Sequence, residues 1–194
     1  MTPLNDWNRL KPDAELAVQE LHTQLSSSRS PQDLIDSYLY AKRLLAEAMQ
    51  AFVRIDLDGR NETFHDLRAR LQKEMLDRYS NLLPDRYLKL PYGTRVHEEL
   101  FTLLLQRLGQ PVQAAFLRIV TADSVHAERR IRELRELGID IRTSKENGYD
   151  FYMLGSLNID VSFLSTIVGN KIKKDKSLEE TERKEYLEAV GYSK

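Results

Sequence analysis

The chain has 194 residues, 41% of them hydrophobic, enough for one substantial core or two small ones. Its formal net charge is −1, so the molecule as a whole exerts no general pull on polyanions and any nucleic-acid surface has to be a local patch. Cysteine is absent, which excludes disulfides, thiolate-held zinc and thiol catalysis within these residues and fits a reducing compartment.

The opening MTPLNDWNRLKPDAEL lacks the apolar core of a signal peptide, and no stretch approaches the roughly 18 apolar residues of a membrane span. The expectation is a cytoplasmic protein with no membrane partner. A first helix is predicted from Ala14 to Leu25, where Leu16, Val18, Leu21 and Leu25 recur at helical spacing before SSSRSP breaks the pattern. Ser30 and Pro31 restart it, Asp33 completes a capping-box spacing, and a second helix runs to about Ile55. Its predicted buried stripe is Leu34, Ile35, Leu39, Leu44, Leu45, Met49 and Phe52. Thr63 with Asp66 opens a third helix through Leu67, Leu71, Met75, Leu76 and Tyr79. Residues 1–90 therefore read as a helical bundle, with Trp7 as a packing anchor or a stacking surface. The segment LLPDRYLKLPYGT, with two prolines and a glycine, reads as a connector over Leu83 to Thr94.

Beyond the connector, Val96 to Leu108 is apolar around nearly its whole circumference, through Leu100, Phe101, Leu103, Leu104, Leu105 and Leu108, as suits a helix at the centre of a core. Gly109 and Pro111 stop it. A short helix follows from Gln113 to Val120, then a TAD link, then a third helix from Ser124 to Leu137 closed by Gly138 as a left-handed cap. Ile139 to Thr143 and Tyr149 to Leu154 read as strands joined by SKENG, whose Asn147-Gly148 pair signals a hairpin. Three helices followed by a hairpin is the winged-helix order, placed at residues 91–158. In the tail, residues 159–194, Asp160 can cap a helix running to about Ile172, and Ser177 with Glu180 opens another that ends near Gly191. Lys171, Lys173, Lys174 and Lys176 between them read as solvated. The expected fold is thus mainly α: an N-terminal bundle, a winged helix of three helices plus a β-hairpin, and C-terminal helices.

In helix-turn-helix proteins the helix after the turn enters the major groove. At 100° per residue, Ala127, Ile131, Leu134 and Leu137 gather on a core-facing side of that helix, opposite Val125, His126, Arg129, Arg132, Glu133 and Glu136. Arg129 and Arg132 are the expected base-reading pair, since a guanidinium can donate twice to guanine. Ser124 and His126 sit where a helix start can meet a base edge or phosphate. Arg130 and Arg135 flank the apolar stripe and can hold phosphates, and Arg142 and Lys145 belong to the wing. Against this, RRIRELRELG is also the pattern of a solvated helix laced with i,i+4 pairs. Arg95 to Asp160 carries nine Lys or Arg against ten Asp or Glu. The alternative is a scaffold whose winged helix docks another protein.

The stretch VHAERRIRELRELGIDIRTSKENGYDFYML resembles the winged-helix specificity modules that accompany restriction endonucleases of the HNH and related types. The shared features are an RRxRELR helix, a Gly-Ile/Trp-x-Ile strand and a wing ending in Tyr-x-Leu. LEETERKEYLEAVGYSK is similar to the helix and Gly-Tyr step that lead into an HNH zinc domain, whose first Cys-x-x-Cys would come directly after Lys194. The resemblance covers about residues 96–194. It implies that Arg129, Arg130, Arg132 and Arg135 occupy recognition-helix positions, that duplex DNA is the partner, and that the module is the target-recognition part of a restriction or defence system. It transfers no catalytic residue, so an endonuclease activity is expected only of a larger chain. Self-association or a partner protein is assigned to the N-terminal helices.

No cofactor or metal is expected. DLDGRNETFHD has the look of a calcium loop, but its glycine comes fourth where an EF-hand needs it sixth, and no glutamate stands at position twelve. His22, His65, His97 and His126 lack ligand spacing. No phosphate loop or nucleophile elbow is present.

Overall fold

A computed structural model describes residues 2–27, 30–57, 62–123 and 127–192. The protein is mainly helical: α1 (Pro3–Ser27), α2 (Pro31–Leu57), α3 (Glu62–Tyr79), α4 (Arg95–Leu105), α5 (Ala114–Val120), α6 (Ala127–Glu136), α7 (Phe163–Lys174) and α8 (Glu180–Ala189). Three strands, β1 (Val112–Gln113), β2 (Ile139–Glu146) and β3 (Tyr149–Ile159), form one antiparallel sheet in the order β1-β3-β2. Among the described residues no helix is long and apolar enough to cross a membrane. Contacts gather into two units, one of residues 1–59 with 114–127, the other of 60–113 with 128–194.

In the first unit α1 and α2 meet along a seam rich in alanine. On α1 the inward positions are Pro3, Trp7, Leu10, Ala14, Ala17, Leu21 and Gln24, and on α2 they are Leu34, Ser37, Ala41, Leu44, Ala48, Ala51 and Ile55. Both sets step alternately by four and three residues, the spacing that keeps one stripe facing a partner helix. Five alanines at the seam let the two backbones approach closely, since the separation of packed helices follows the size of the side chains between them. The expected stripe is corrected accordingly: Leu44 is buried, but Leu16 is 63% exposed, and Val18, Leu25, Ile35, Leu39, Leu45, Met49 and Phe52 also face outward. The same seam explains why α1 begins at Pro3 and continues through Pro12, which lies on the outer surface while seam residues on both sides of it are buried. The Ser30 hydroxyl accepts from the backbone N–H of Gln32, as a helix start at Pro31 requires. α5 packs on α2 within this unit, and the Gln50 amide donates to the carbonyl of Val120 at 2.6 Å.

In the second unit α3 buries Phe64, Leu67, Leu71, Met75 and Tyr79, with Leu76 turned outward. The Phe64 and Phe101 rings meet at 5.2 Å in a tilted contact, bringing α3 against α4. The segment after α3 is laced to that helix. The Gln72 side chain donates to the Leu88 carbonyl (2.6 Å) and accepts from the Leu90 N–H (2.9 Å). The Arg68 guanidinium donates to the carbonyls of Leu90, Pro91 and Tyr92. α4 is buried almost all round, polar His97, Glu99 and Thr102 included.

β1 pairs Val112 with Tyr152 and Gln113 with Phe151. Glu146 pairs with Tyr149, so the hairpin loop is Asn147-Gly148 alone, with φ of 50° and 84°. Positive φ at both positions is what the tight primed turn demands. Strand pairing therefore extends three residues further along β2 than SKENG suggested. Gly138, at φ 83°, links α6 to β2, and a Cβ there would lie 2.3 Å from the Asp160 carbonyl oxygen. α7 buries Leu164, Ile167, Val168 and Ile172, and the Asp160 carboxylate accepts from the Ser162 N–H ahead of it. Ser177 directs its hydroxyl to Asp175 rather than to a helix start, and Glu179 takes the cap position of α8.

Candidate nucleic-acid interface

α6 supplies the arginines, and its placement is fixed from behind. Ile131, Leu134 and Leu137 are fully buried, as the helical wheel predicts. Glu133 departs from it: one turn from the arginines it was expected to join at the surface, it is 6% exposed. His97, 1% exposed, lies 2.9 Å from the Glu133 carboxylate through Nε2, and its Nδ1 lies 2.7 Å from the Thr94 hydroxyl. A carboxylate only accepts, so Nε2 carries the proton and Nδ1 accepts from Thr94. That neutral tautomer satisfies both ring nitrogens. Burial pushes the His97 pKa below its ordinary value, outweighing the carboxylate beside it. Burial acts to raise the Glu133 carboxyl, but hydrogen bonds from Arg130, His97 and Arg129 more than offset this and leave its pKa below the usual range.

The four arginines of α6 consequently fall into two classes. Arg129 donates from Nε to Glu133 at 3.0 Å and Arg130 from Nη1 at 2.7 Å. Arg132 and Arg135 are exposed, and no ion pair holds either among the described residues. On the hairpin, Arg142 grips Asp140 with two hydrogen bonds of 3.1 and 2.9 Å, which raise its pKa, whereas Lys145 is exposed near the turn. Ser124 and His126 lie outside the described residues.

Two open cavities flank the exposed edge of α6. One, about 750 Å³, is lined by Arg132, Arg135, Asp140, Asn158 and Asp160. The other, about 590 Å³, lies between α6 and α7 and is lined by Tyr92, Arg129, Arg132, Asn170 and Lys174. Arg132 borders both. Tyr92 holds a left-handed backbone at φ 60° and donates its hydroxyl to Glu136 at 2.6 Å. Burial first, then that bond, pushes the phenol up to about 12. The tail lysines are less free than the sequence suggests: the Lys171 ammonium donates to the carbonyls of Tyr87 and Lys89, and Lys173 sits 4.2 Å above the Tyr192 ring. The roles of Glu133 and Lys171 leave no signal in hydrophobic spacing, because each is held by a polar partner distant in sequence.

Among the described residues no group of three or more His, Cys, Asp or Glu is gathered as a metal would need. The arrangement offers cations and hydrogen-bond donors on a rigid helix edge, beside a projecting ribbon. Residues 97–160, about a third of the chain, match the family described as the KpnI N-terminal domain, consistent with a restriction-enzyme-related module in that segment. Comparisons with curated proteins and with solved structures give no match.

Proposed function

We propose that residues 97–160 form a winged helix that binds duplex DNA, with α6 as recognition helix and the β2/β3 ribbon as wing, serving target recognition in a restriction system. The observation that carries this reading is the sheet order. α4, β1, α5, α6, β2 and β3 follow one another along the chain, and the two-residue β1 pairs with the far strand of the hairpin. The match to the KpnI N-terminal domain over the same residues supports it. In this assignment Arg132 and Arg135 make the first contacts, Lys145 meets backbone phosphate, and Arg129, Arg130 and Arg142 exchange carboxylate partners for DNA only at close approach. Ser124 and His126 stay assigned to the helix start.

Fluorescence anisotropy of the full chain with randomised duplex DNA, at rising salt, tests this. Three phosphates neutralised by Arg132, Arg135 and Lys145 give a log–log slope of about −2.7, and recruitment of the three paired arginines steepens it toward about −5. Arg132→Ala and Arg135→Ala should each flatten the slope by about 0.9. Absence of binding at low salt overturns the reading and favours a protein-docking role.

A further inference from the structure

The first unit has two unlike faces. With the α1/α2 seam taken as reference, Arg9, Asp13 and Glu20 of α1 and Asp36, Arg43 and Glu47 of α2 project to one side. On the other side stand Leu4, Val18 and Leu25 of α1 with Tyr38, Leu45, Met49 and Phe52 of α2, and Trp7 lies half-buried where that side meets the seam. The Trp7 and Phe52 rings meet at 5.1 Å, tilted by 56°, across the two helices. Two adjoining grooves run along this side, about 370 Å³ between α1 and α2 and about 330 Å³ between α2 and α5. Leu45 and Met49 line both, so the apolar surface is continuous across three helices. Scattered exposed leucines need no explanation, but a contiguous patch of this kind does.

The spacing is as specific as the location. Ile35, Tyr38, Lys42, Leu45, Met49 and Phe52 step by three and four residues, and Leu4, Lys11, Val18 and Leu25 by seven. Each helix therefore carries, beside the seam it uses, a second coiled-coil stripe, which among the described residues α5 borders only along α2. The few charges on it are already matched, Lys11 with Glu15 at 3.6 Å and Lys42 with Asp123 at 3.4 Å. A face without excess charge selects no charged partner and does not repel its own copy. Helices of 25 and 27 residues are about 40 Å long, and two side by side are about 20 Å wide. Covering that face buries about 800 Å² per chain, or about 1,600 Å² in a pair, the size of a stable specific interface.

We propose that this face docks a second copy of the same chain, uniting two α1/α2 layers in a four-helix bundle. Sedimentation velocity or light scattering of the full chain from about 1 to 100 µM tests it, in the range where such interfaces associate. The expected mass is twice 22.6 kDa. Leu45→Lys combined with Met49→Lys should halve that mass with the circular-dichroism spectrum unchanged, and Val18→Lys should do so independently from α1. Arg43→Glu, on the charged side, should leave the dimer intact. A wild-type mass of 22.6 kDa across the whole range overturns the proposal. So does a dimer that survives in folded Leu45→Lys/Met49→Lys and Val18→Lys variants. The wild-type mass decides even where a variant fails to fold, and neither result depends on whether α6 binds DNA.

Discussion

Replacing Glu133 with alanine removes a carboxylate that joins α4 to the arginine helix. The cost follows from what its three partners lose. His97 is 1% exposed, so its Nε2–H would be left without an acceptor in a site closed to water, a penalty of about 1–3 kcal/mol. Arg129 and Arg130 have side chains 60% and 34% exposed, so water replaces the carboxylate and each contributes only about 0.2–1 kcal/mol. His97 is neutral, and no buried charge is stranded, which keeps the total below the roughly 3–5 kcal/mol of a broken buried ion pair. A loss of about 2–3 kcal/mol lowers the melting temperature of a chain this size by about 4–12 °C. Thermal and urea unfolding of the wild type, Glu133→Ala, His97→Ala and the double variant would measure it. The double variant should lose clearly less than the sum of the two single changes. A single-variant loss under about 0.5 kcal/mol, or full additivity, would refute the network as described. The same substitution frees two guanidiniums, so affinity for duplex DNA at low salt should hold or rise in Glu133→Ala.

Stability should also respond to pH through His97. Its folded pKa lies below the ordinary value of about 6.5, so its contribution is complete above that pH and is lost as pH falls through the folded value; urea midpoints should drop between about pH 7 and 5, and less so in His97→Asn. Gly138→Ala should destabilise by about 1–3 kcal/mol, because φ is 83° and the new Cβ would meet the Asp160 carbonyl at 2.3 Å, which a lowered midpoint would register. Ala48→Leu should cost about 1–3 kcal/mol by overfilling the α1/α2 seam, whereas Met49→Leu one residue along should be nearly neutral; equal effects would contradict the seam assignment.

What the sequence reveals and conceals can be traced to particular residues. Asn147-Gly148 marks its turn because few residue pairs tolerate two positive φ values in succession, and α4 marks itself by a run of leucines around nearly its whole circumference. The N-terminal hairpin is legible as two helices but misleads about its inner face. Hydrophobicity ranks Leu16, Leu45 and Met49 above Ala14, Ala41 and Ala48, yet close helix contact favours the smaller group. β1 escapes notice because two residues carry no periodicity, and only the pairing of Val112 with Tyr152 reveals it. At the candidate interface the wheel places Arg129 and Arg132 opposite the core and Arg130 and Arg135 at its flanks, whereas it is Arg132 and Arg135 that stand exposed without an ion pair among the described residues. It cannot separate them from Arg129 and Arg130, since that distinction arises from His97, 36 residues away from Glu133.

The first unit is assembled from two separate stretches of chain, residues 1–59 and 114–127. During synthesis at about 5–20 residues per second, α1 and α2 emerge long before α5, roughly 3–13 s at those rates. The alanine seam is local and can close at once, but one groove of the apolar face lacks its α5 wall throughout that interval. A nascent hairpin therefore has to remain soluble by itself, or to meet a sister hairpin from a neighbouring ribosome on the same message before its own third helix arrives.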